Sequence, residues 1–200
     1  KTNEELKKAH IRRGDQHSSQ GQIISLTQPT EVGTCYSLRE LNEIISWAKS
    51  ERLYVHIDGA RLANAATTLG LSFRSLTTEL GVDVVSFGGT KNGLMMGEAV
   101  IFLNPQLATD FKYHRKQLGQ LPSKTRFIAA QFTAYLQNNL WKDIATHSCN
   151  MAESLAQKVS DIRAVQVTPP RESNAVFAKI PKEWIKPLRE KYFFYVWNEH

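Results

Sequence analysis

Two stretches decide the fold of this chain: Val55–Ala65, with the sequence VHIDGARLANA, and Ser86–Val100, with the sequence SFGGTKNGLMMGEAV. Each follows or contains an apolar run typical of a buried strand, and each then enters a turn that contains glycine. The first turn carries Asp58 and the second carries Lys91. Ligands of open α/β sheets bind beyond the carboxyl ends of the strands, so this aspartate and this lysine are expected to face one pocket.

Strands and helices alternate outward from these two stretches. Ser37 and Glu40 form a capping box that predicts the start of an amphipathic helix. This order predicts an α/β fold, with a parallel or mixed sheet and helices on both of its faces. The predicted strands are residues 22–27, 53–57, 82–87 and 99–103.

The pattern changes to long helical stretches from Arg126 onward. A strand pair, a helix and a final strand are predicted after these stretches, at residues 164–167 and 175–180, 184–191 and 193–197. The aromatic residues of the final strand are expected to lie in a core. The chain therefore divides into residues 1–145, part of a large domain, and residues 146–200, part of a small α+β C-terminal domain. Both domains are predicted to be incomplete, because the chain lacks an initial methionine and stops where the last strand begins.

Composition narrows the classes of function. The 25 basic and 19 acidic residues give a net charge of +6, but the basic residues are scattered. A nucleic-acid-binding module is therefore a minor alternative, which predicts salt-sensitive retention on DNA. The two cysteines, Cys35 and Cys149, lack the spacing of metal ligands and indicate a cytoplasmic protein without a disulfide framework or metal site. No apolar stretch reaches the roughly 20 residues of a membrane helix.

An aspartate and a lysine at neighbouring strand ends suit a pyridoxal 5′-phosphate (PLP) enzyme. Such an enzyme needs a lysine that forms an imine with the cofactor and an acid beside the pyridine nitrogen. An ionised Asp58 would keep that nitrogen protonated, and Lys91 must lose its proton to act as a nucleophile. The pattern alone leaves a second reading open, because a lysine after Gly-Gly and an Asp-Gly pair are commonly surface turns. The spacing is not that of a P-loop.

The two stretches, in this order, resemble the threonine aldolases of the fold-type-I PLP superfamily, in particular the low-specificity and phenylserine-type branch. The resemblance includes ISLTQPTEVGTCYSL at residues 24–38 and RKQLGQLPSKTRFIAAQ at residues 115–131, and it runs from about Ile11 to His200. It implies the fold of the aspartate aminotransferase-like enzymes and a chain that is truncated at both ends.

The resemblance also implies roles for residues near the cofactor. Lys91 matches the Schiff-base lysine, Asp58 matches the partner of the pyridine nitrogen, and Arg61 matches an arginine that holds the substrate carboxylate. Lys116 and Arg126 match basic positions around the cofactor phosphate. Lys124 is an equally good choice for the phosphate.

Two further residues have two readings each. His56 leaves the same face of its strand as Asp58, so it is either a hydrogen-bond partner of Asp58 beside the cofactor or a core histidine. Thr90 either donates a hydrogen bond to the cofactor or supports the turn.

The implied activity is PLP-dependent aldol cleavage of a β-hydroxy-α-amino acid of the threonine or allo-threonine type. The products are glycine and an aldehyde, which makes the expected enzyme a carbon–carbon lyase with a small amino acid as its substrate. By analogy, it forms a homodimer or homotetramer and has no nucleic-acid or membrane partner. A PLP-dependent β-eliminating lyase and a catalytically inactive fragment of the scaffold remain as alternatives.

Overall fold

The computed structural model describes residues 3–168 and 170–198. Its main sheet has four strands in the order β1-β2-β3-β4, of which β1, β2 and β3 are parallel and β4 is antiparallel to β3. The predicted α/β fold with a mostly parallel sheet is confirmed. The strands are β1 (Ile23–Thr27), β2 (Tyr54–Gly59), β3 (Val84–Gly88) and β4 (Glu98–Phe102).

Helices follow most of the strands. None in the described residues is both long and apolar enough to cross a membrane. Single 3-10 turns occur at Thr78–Leu80, Thr90–Asn92, Pro105–Ala108 and Gln137–Asn139. The helices are α1 (Asn3–Ala9), α2 (Leu38–Ser50), α3 (Leu62–Leu69), α4 (Phe73–Leu76), α5 (Phe111–Gln117), α6 (Arg126–Leu136), α7 (Leu140–Ser160) and α8 (Lys182–Arg189).

Helix α2 shows how the sequence determines local structure. The predicted capping box is present: Ser37 Oγ accepts from the Glu40 amide at 3.2 Å, and the Glu40 carboxylate accepts from the Ser37 amide at 2.8 Å. The buried face of the helix joins the core formed by Val55 and Ile57, both 0% exposed. That face consists of Leu41, Ile44, Ile45 and Ala48.

Among the residues that the structure describes, the core lies on one face of the sheet. Burial alternates along β1 and β2, so that Ile23 and Tyr54 are 54% and 43% exposed. The prediction that helices cover both faces is wrong for the described residues. The reason lies in the polar residues that interrupt the apolar runs and share the second face of the sheet, which we call the open face. These residues are Ser25, His56, Asp58 and Ser86.

The second half contains the predicted strand pair, β5 (Gln166–Val167) and β6 (Ala178–Lys179), in an antiparallel arrangement. Helix α8 forms despite Pro187. The strand predicted at residues 193–197 is wrong, and so is the placement of its aromatic residues in a core. This segment has no regular structure, and Phe193 and Tyr195 are both 79% exposed. Aromatic residues favour strands through packing against neighbours, and no described strand pairs with this segment.

The predicted domain boundary at residues 145/146 falls inside α7, a single helix of 21 residues. Its first turns join the core beside the sheet, and Asn64 of α3 donates to Ser148 Oγ at 2.8 Å. The division into two domains stays a prediction. The two predicted domains also include residues that the structure does not describe, namely residues 1–2, 169 and 199–200.

A buried carboxylate connects the sheet to the elements around it. Asp83, 5% exposed, accepts from Lys49 Nζ at 2.5 Å, from the Val55 amide at 2.7 Å and from Asn104 Nδ2 at 3.1 Å. Burial alone would raise the pKa of Asp83, but these three hydrogen bonds outweigh it and hold the pKa below its usual value. The ionised form of Asp83 therefore stabilises the fold.

We expect the replacement Asp83→Ala to lower the free energy of unfolding by about 3 kcal/mol, because it leaves the Val55 amide and Lys49 without an acceptor. Since the folded pKa lies below the unfolded one, this contribution is complete above about pH 4 and is lost as the pH falls through the folded pKa. Urea unfolding at pH 7 and pH 3 measures both effects. Asp161→Ala, at an exposed aspartate, is the control. Equal stability of Asp83→Ala and the wild type at pH 7 would contradict the assignment.

Candidate active site

Asp58 lies near the carboxyl end of β2, on the open face of the sheet. It is paired in register with Thr27 of β1 and Ser86 of β3, and its side chain is half-buried. One carboxylate oxygen, Oδ1, accepts a hydrogen bond from the amide of Ala60 at 3.1 Å. This bond fixes the orientation of the carboxylate within its own turn.

Lys91 lies in the 3-10 turn that directly follows β3. Its side chain is exposed and has no hydrogen bond or ion pair with any described residue. The next residue, Asn92, is buried, and its Nδ2 donates to the carbonyls of Gly88 at 2.8 Å and Ala60 at 3.3 Å. The turn with Lys91 is therefore attached to the turn that follows Asp58.

The two turns also touch through their backbones. A Cβ atom added to Gly88 would overlap the carbonyl oxygen of Ala60 and lie 2.7 Å from the carbonyl carbon. Gly88, the first glycine of the Gly-Gly pair, is thus required by a close approach of two chain segments. As a result, the aspartate and the lysine predicted from the sequence come from adjacent turns in direct contact.

His56 occupies the open face below Asp58. Its Nδ1 is 2.8 Å from Ser25 Oγ and its Nε2 is 2.9 Å from Ser86 Oγ, so both ring nitrogens are engaged. No hydrogen bond joins His56 to Asp58, which differs from the first of the two readings of this histidine. Burial lowers the pKa of His56, and the charge of Asp58 acts in the opposite direction. The imidazole is therefore neutral near pH 7 and ties three strands together.

Thr90 and Arg61 differ in whether their side chains form hydrogen bonds with other described residues. The Thr90 hydroxyl donates to the Gly97 carbonyl at 3.3 Å and accepts from the Gly97 amide at 3.0 Å, which is the turn-supporting role. Arg61 lies at the start of α3 with a half-buried side chain. Its guanidinium has no hydrogen bond with a described residue, so it can accept an anionic partner.

The predicted phosphate-binding residues belong to elements later in the chain. Lys116 lies in the last turn of α5, Arg126 begins α6, and Lys124 lies between them at a positive φ of 62°. All three are exposed, and none forms a hydrogen bond or ion pair with Asp58 or Lys91 in the described part of the chain. Their assignment to the phosphate stays a prediction.

A cleft of about 430 Å³ lies elsewhere, beside the loop after β1. Burial, together with the charge of Glu172, raises the pKa of Cys35 in this cleft to about 12. The thiol is therefore not an activated nucleophile, and the acidic lining is unfavourable for a phosphate. The lining residues are Glu5, Thr30, Thr34, Cys35, Tyr36, Glu40 and Glu172.

The sequence analysis missed two buried amides at the ends of these strands. Asn92 was not considered, although an asparagine in a glycine-rich turn commonly bonds nearby backbone groups. Gln28 follows β1 and is 0% exposed. Its backbone N–H donates to the carbonyl of Asp58 at 2.9 Å. Its side-chain amide donates to the Tyr36 carbonyl and accepts from the Tyr36 N–H. The position of Gln28 directly after β1, at the same edge of the sheet as Asp58, is the sequence feature that indicates its importance.

Comparison with known proteins agrees with this geometry. The sequence model of the family described as beta-eliminating lyase matches residues 2–182. The chain belongs to the beta-eliminating lyase family. Within it, the chain is 44% identical over 181 residues to the low specificity L-threonine aldolase of Pseudomonas aeruginosa, an alignment that covers 90% of this chain and 52% of the relative. The chain thus spans about half the length of this curated relative.

The chain is also similar in structure to solved proteins. The threonine aldolase of Leishmania major has a TM-score of 0.88 at 28% identity, covering 96% of this chain and 56% of that one. The PLP-bound C-S lyase of Staphylococcus hominis has a TM-score of 0.62 at 15% identity, covering 95% and 49%. The second likeness concerns the fold alone. The fold class predicted from the sequence, that of the fold-type-I PLP enzymes, is confirmed.

We expect Gly88→Ala to lower the free energy of unfolding by about 3 kcal/mol, because its Cβ meets backbone atoms of Ala60 that have no free space to move into. Gly21→Ala is the matched control, since a Cβ there meets only the His10 side chain at ordinary contact distance and the φ angle is not positive. Urea unfolding compares the two variants. A Gly88→Ala protein as stable as Gly21→Ala would mean that the turns are not in backbone contact.

Proposed function

We propose that this member of the beta-eliminating lyase family cleaves β-hydroxy-α-amino acids of the threonine type to glycine and an aldehyde, with PLP as its cofactor. The observation that carries the proposal is the contact between two turns at the carboxyl ends of adjacent parallel strands, one with Asp58 and one with Lys91. This is the edge of an α/β sheet at which ligands bind.

The chemistry of the residues fits PLP. Lys91 has an exposed amine without a partner in the described chain, as a covalent anchor for an aldehyde requires. Asp58 presents a half-buried carboxylate, oriented by the Ala60 amide, that would pair with the ring nitrogen of the cofactor. When bound, PLP draws electrons from a bond that breaks at the α-carbon of the substrate.

Each residue then has a physical task. The Asp58 carboxylate holds a proton on the ring nitrogen of the cofactor, because an opposite charge favours the protonated form. Lys91 would be the covalent anchor of the cofactor, because its amine is exposed and can attack an aldehyde once it is deprotonated. Arg61 binds the substrate carboxylate through its planar guanidinium.

The neighbouring residues support this group. Thr90 holds the turn of Lys91 through Gly97, and His56 joins the strand of Asp58 to its neighbours. Lys116 and Arg126, with Lys124 as the alternative, are the cationic residues proposed for the phosphate.

The choice of substrate rests on the relatives. The Pseudomonas aeruginosa protein is a low specificity L-threonine aldolase, and its 44% identity extends over nearly the whole of this chain. We therefore propose L-threonine and L-allo-threonine as substrates, with cleavage of the bond between the α- and β-carbons. A homodimer or homotetramer and a cytoplasmic location are further proposals from the sequence.

Borohydride trapping tests the cofactor assignment. After incubation with PLP, reduction and digestion, we expect the pyridoxyl group on Lys91, because its amine is exposed beside the group that binds the ring. Lys91→Ala should lose the adduct, while Lys142→Ala, at an exposed lysine of α7, should keep it. Mass spectrometry locates the modified peptide. Equal modification of many lysines, or none, would contradict the proposal.

Product analysis tests the reaction with the PLP-loaded protein. L-threonine should give glycine and acetaldehyde in equal amounts, and Asp58→Asn should lower this rate at least tenfold because the ring nitrogen loses its anionic partner. Formation of ammonia and a 2-oxo acid from threonine or cysteine would instead identify a β-eliminating lyase. The absence of any product from a chain modified at Lys91 would identify an inactive scaffold.

A further inference from the structure

Asn92 occupies an unusual place in the molecule, because its amide group is buried between the two turns of the site. The residue is 4% exposed. Both of its contacts run from Nδ2, one to the Gly88 carbonyl in its own turn and one to the Ala60 carbonyl in the other. The two protons of one amide nitrogen are thus sufficient to join the turns.

Ala60 extends this connection to Asp58. Its amide donates to Asp58 Oδ1 at 3.1 Å, and its carbonyl accepts from Asn92 Nδ2 at 3.3 Å. The same carbonyl lies against Gly88, which has no room for a Cβ. A continuous path therefore runs from the Asp58 carboxylate through one hydrogen bond, the backbone of Ala60 and a second hydrogen bond to the residue next to Lys91.

We propose that Asn92 is a positioning residue that sets the backbone of Lys91 at a fixed distance from the Asp58 carboxylate. The inference rests on the proposed function, in which both residues hold one rigid cofactor. A lysine side chain has four rotatable carbons, so its amine is directed to one atom only if its backbone is fixed. Asn92 fixes that backbone through its bonds to the Gly88 and Ala60 carbonyls.

Asn64 provides a matched control. It is also a buried asparagine, 1% exposed, and its Nδ2 donates to Ser148 Oγ at 2.8 Å, between α3 and α7. Loss of Asn64 removes a buried hydrogen bond of similar strength without touching either turn. If Asn92 had a purely structural role, replacing Asn92 and replacing Asn64 would have equivalent effects on Lys91.

The experiment compares the wild type with Asn92→Ala, Asn92→Ser and Asn64→Ala. Asn92→Ser keeps a small uncharged polar side chain but lacks the amide nitrogen that reaches both carbonyls, so it provides a second test if the alanine variant is unstable. Urea unfolding ranks the stability of the variants. Hydrogen exchange, measured without cofactor, reports on the amides of residues 88–93. Borohydride trapping gives the share of pyridoxyl found on Lys91 among all modified lysines.

We expect both Asn92 variants to speed exchange at residues 88–93 and to lower the ratio of pyridoxyl on Lys91 to pyridoxyl on the other lysines about tenfold, because the hydrogen bond that joins the two turns is lost. Asn64→Ala should lose comparable stability but keep the wild-type exchange in this segment and the wild-type share of label on Lys91. This pattern would separate positioning from general stability.

Two results would overturn the inference. One is wild-type exchange at residues 88–93 in both Asn92 variants, and the other is an equal loss of Lys91 labelling in Asn92→Ala and Asn64→Ala. Failure of the proposed function looks different, because the wild type itself would then show no selective label on Lys91. The exchange measurement still decides in that case whether Asn92 fixes the turn.

Discussion

The contact of the Ala60 carbonyl with Gly88 and Asn92 is the constraint on which the site depends. Parallel strands bring their carboxyl ends to one edge, but they do not by themselves set the distance between the turns that follow. Here the missing side chain of Gly88 lets the backbones touch, and the Asn92 amide closes the contact with a hydrogen bond. Asp58 and Lys91 thereby become parts of one rigid unit.

The open face gives this unit its chemical surroundings. Its polar residues bond one another across β1, β2 and β3, with His56 between Ser25 and Ser86. A neutral imidazole in this position satisfies two hydroxyl groups without adding a charge beside Asp58. His56 therefore adds no cation that would compete for the Asp58 carboxylate with the ring nitrogen of the proposed cofactor.

The sequence predicts the parts of this account that depend on local pattern. Strand positions, the capping box of α2, and the residues Asp58 and Lys91 follow from periodicity, turn chemistry and resemblance. The sequence does not reveal the open face, because single polar residues within short apolar runs are also compatible with a strand buried on both faces. The strand predicted at 193–197 is absent because pairing depends on a neighbouring strand. The role of Asn92 depends on contact with Ala60, 32 residues away, which no local pattern contains.

The most direct test of the central claim is a crystal structure of the chain grown with PLP. The account predicts continuous density from Lys91 Nζ to the cofactor, and a ring nitrogen about 2.6–3.2 Å from an Asp58 carboxylate oxygen. The Ala60 carbonyl should remain between Gly88 and Asn92. Cofactor bound to another lysine, or a ring nitrogen facing away from Asp58, would contradict the account.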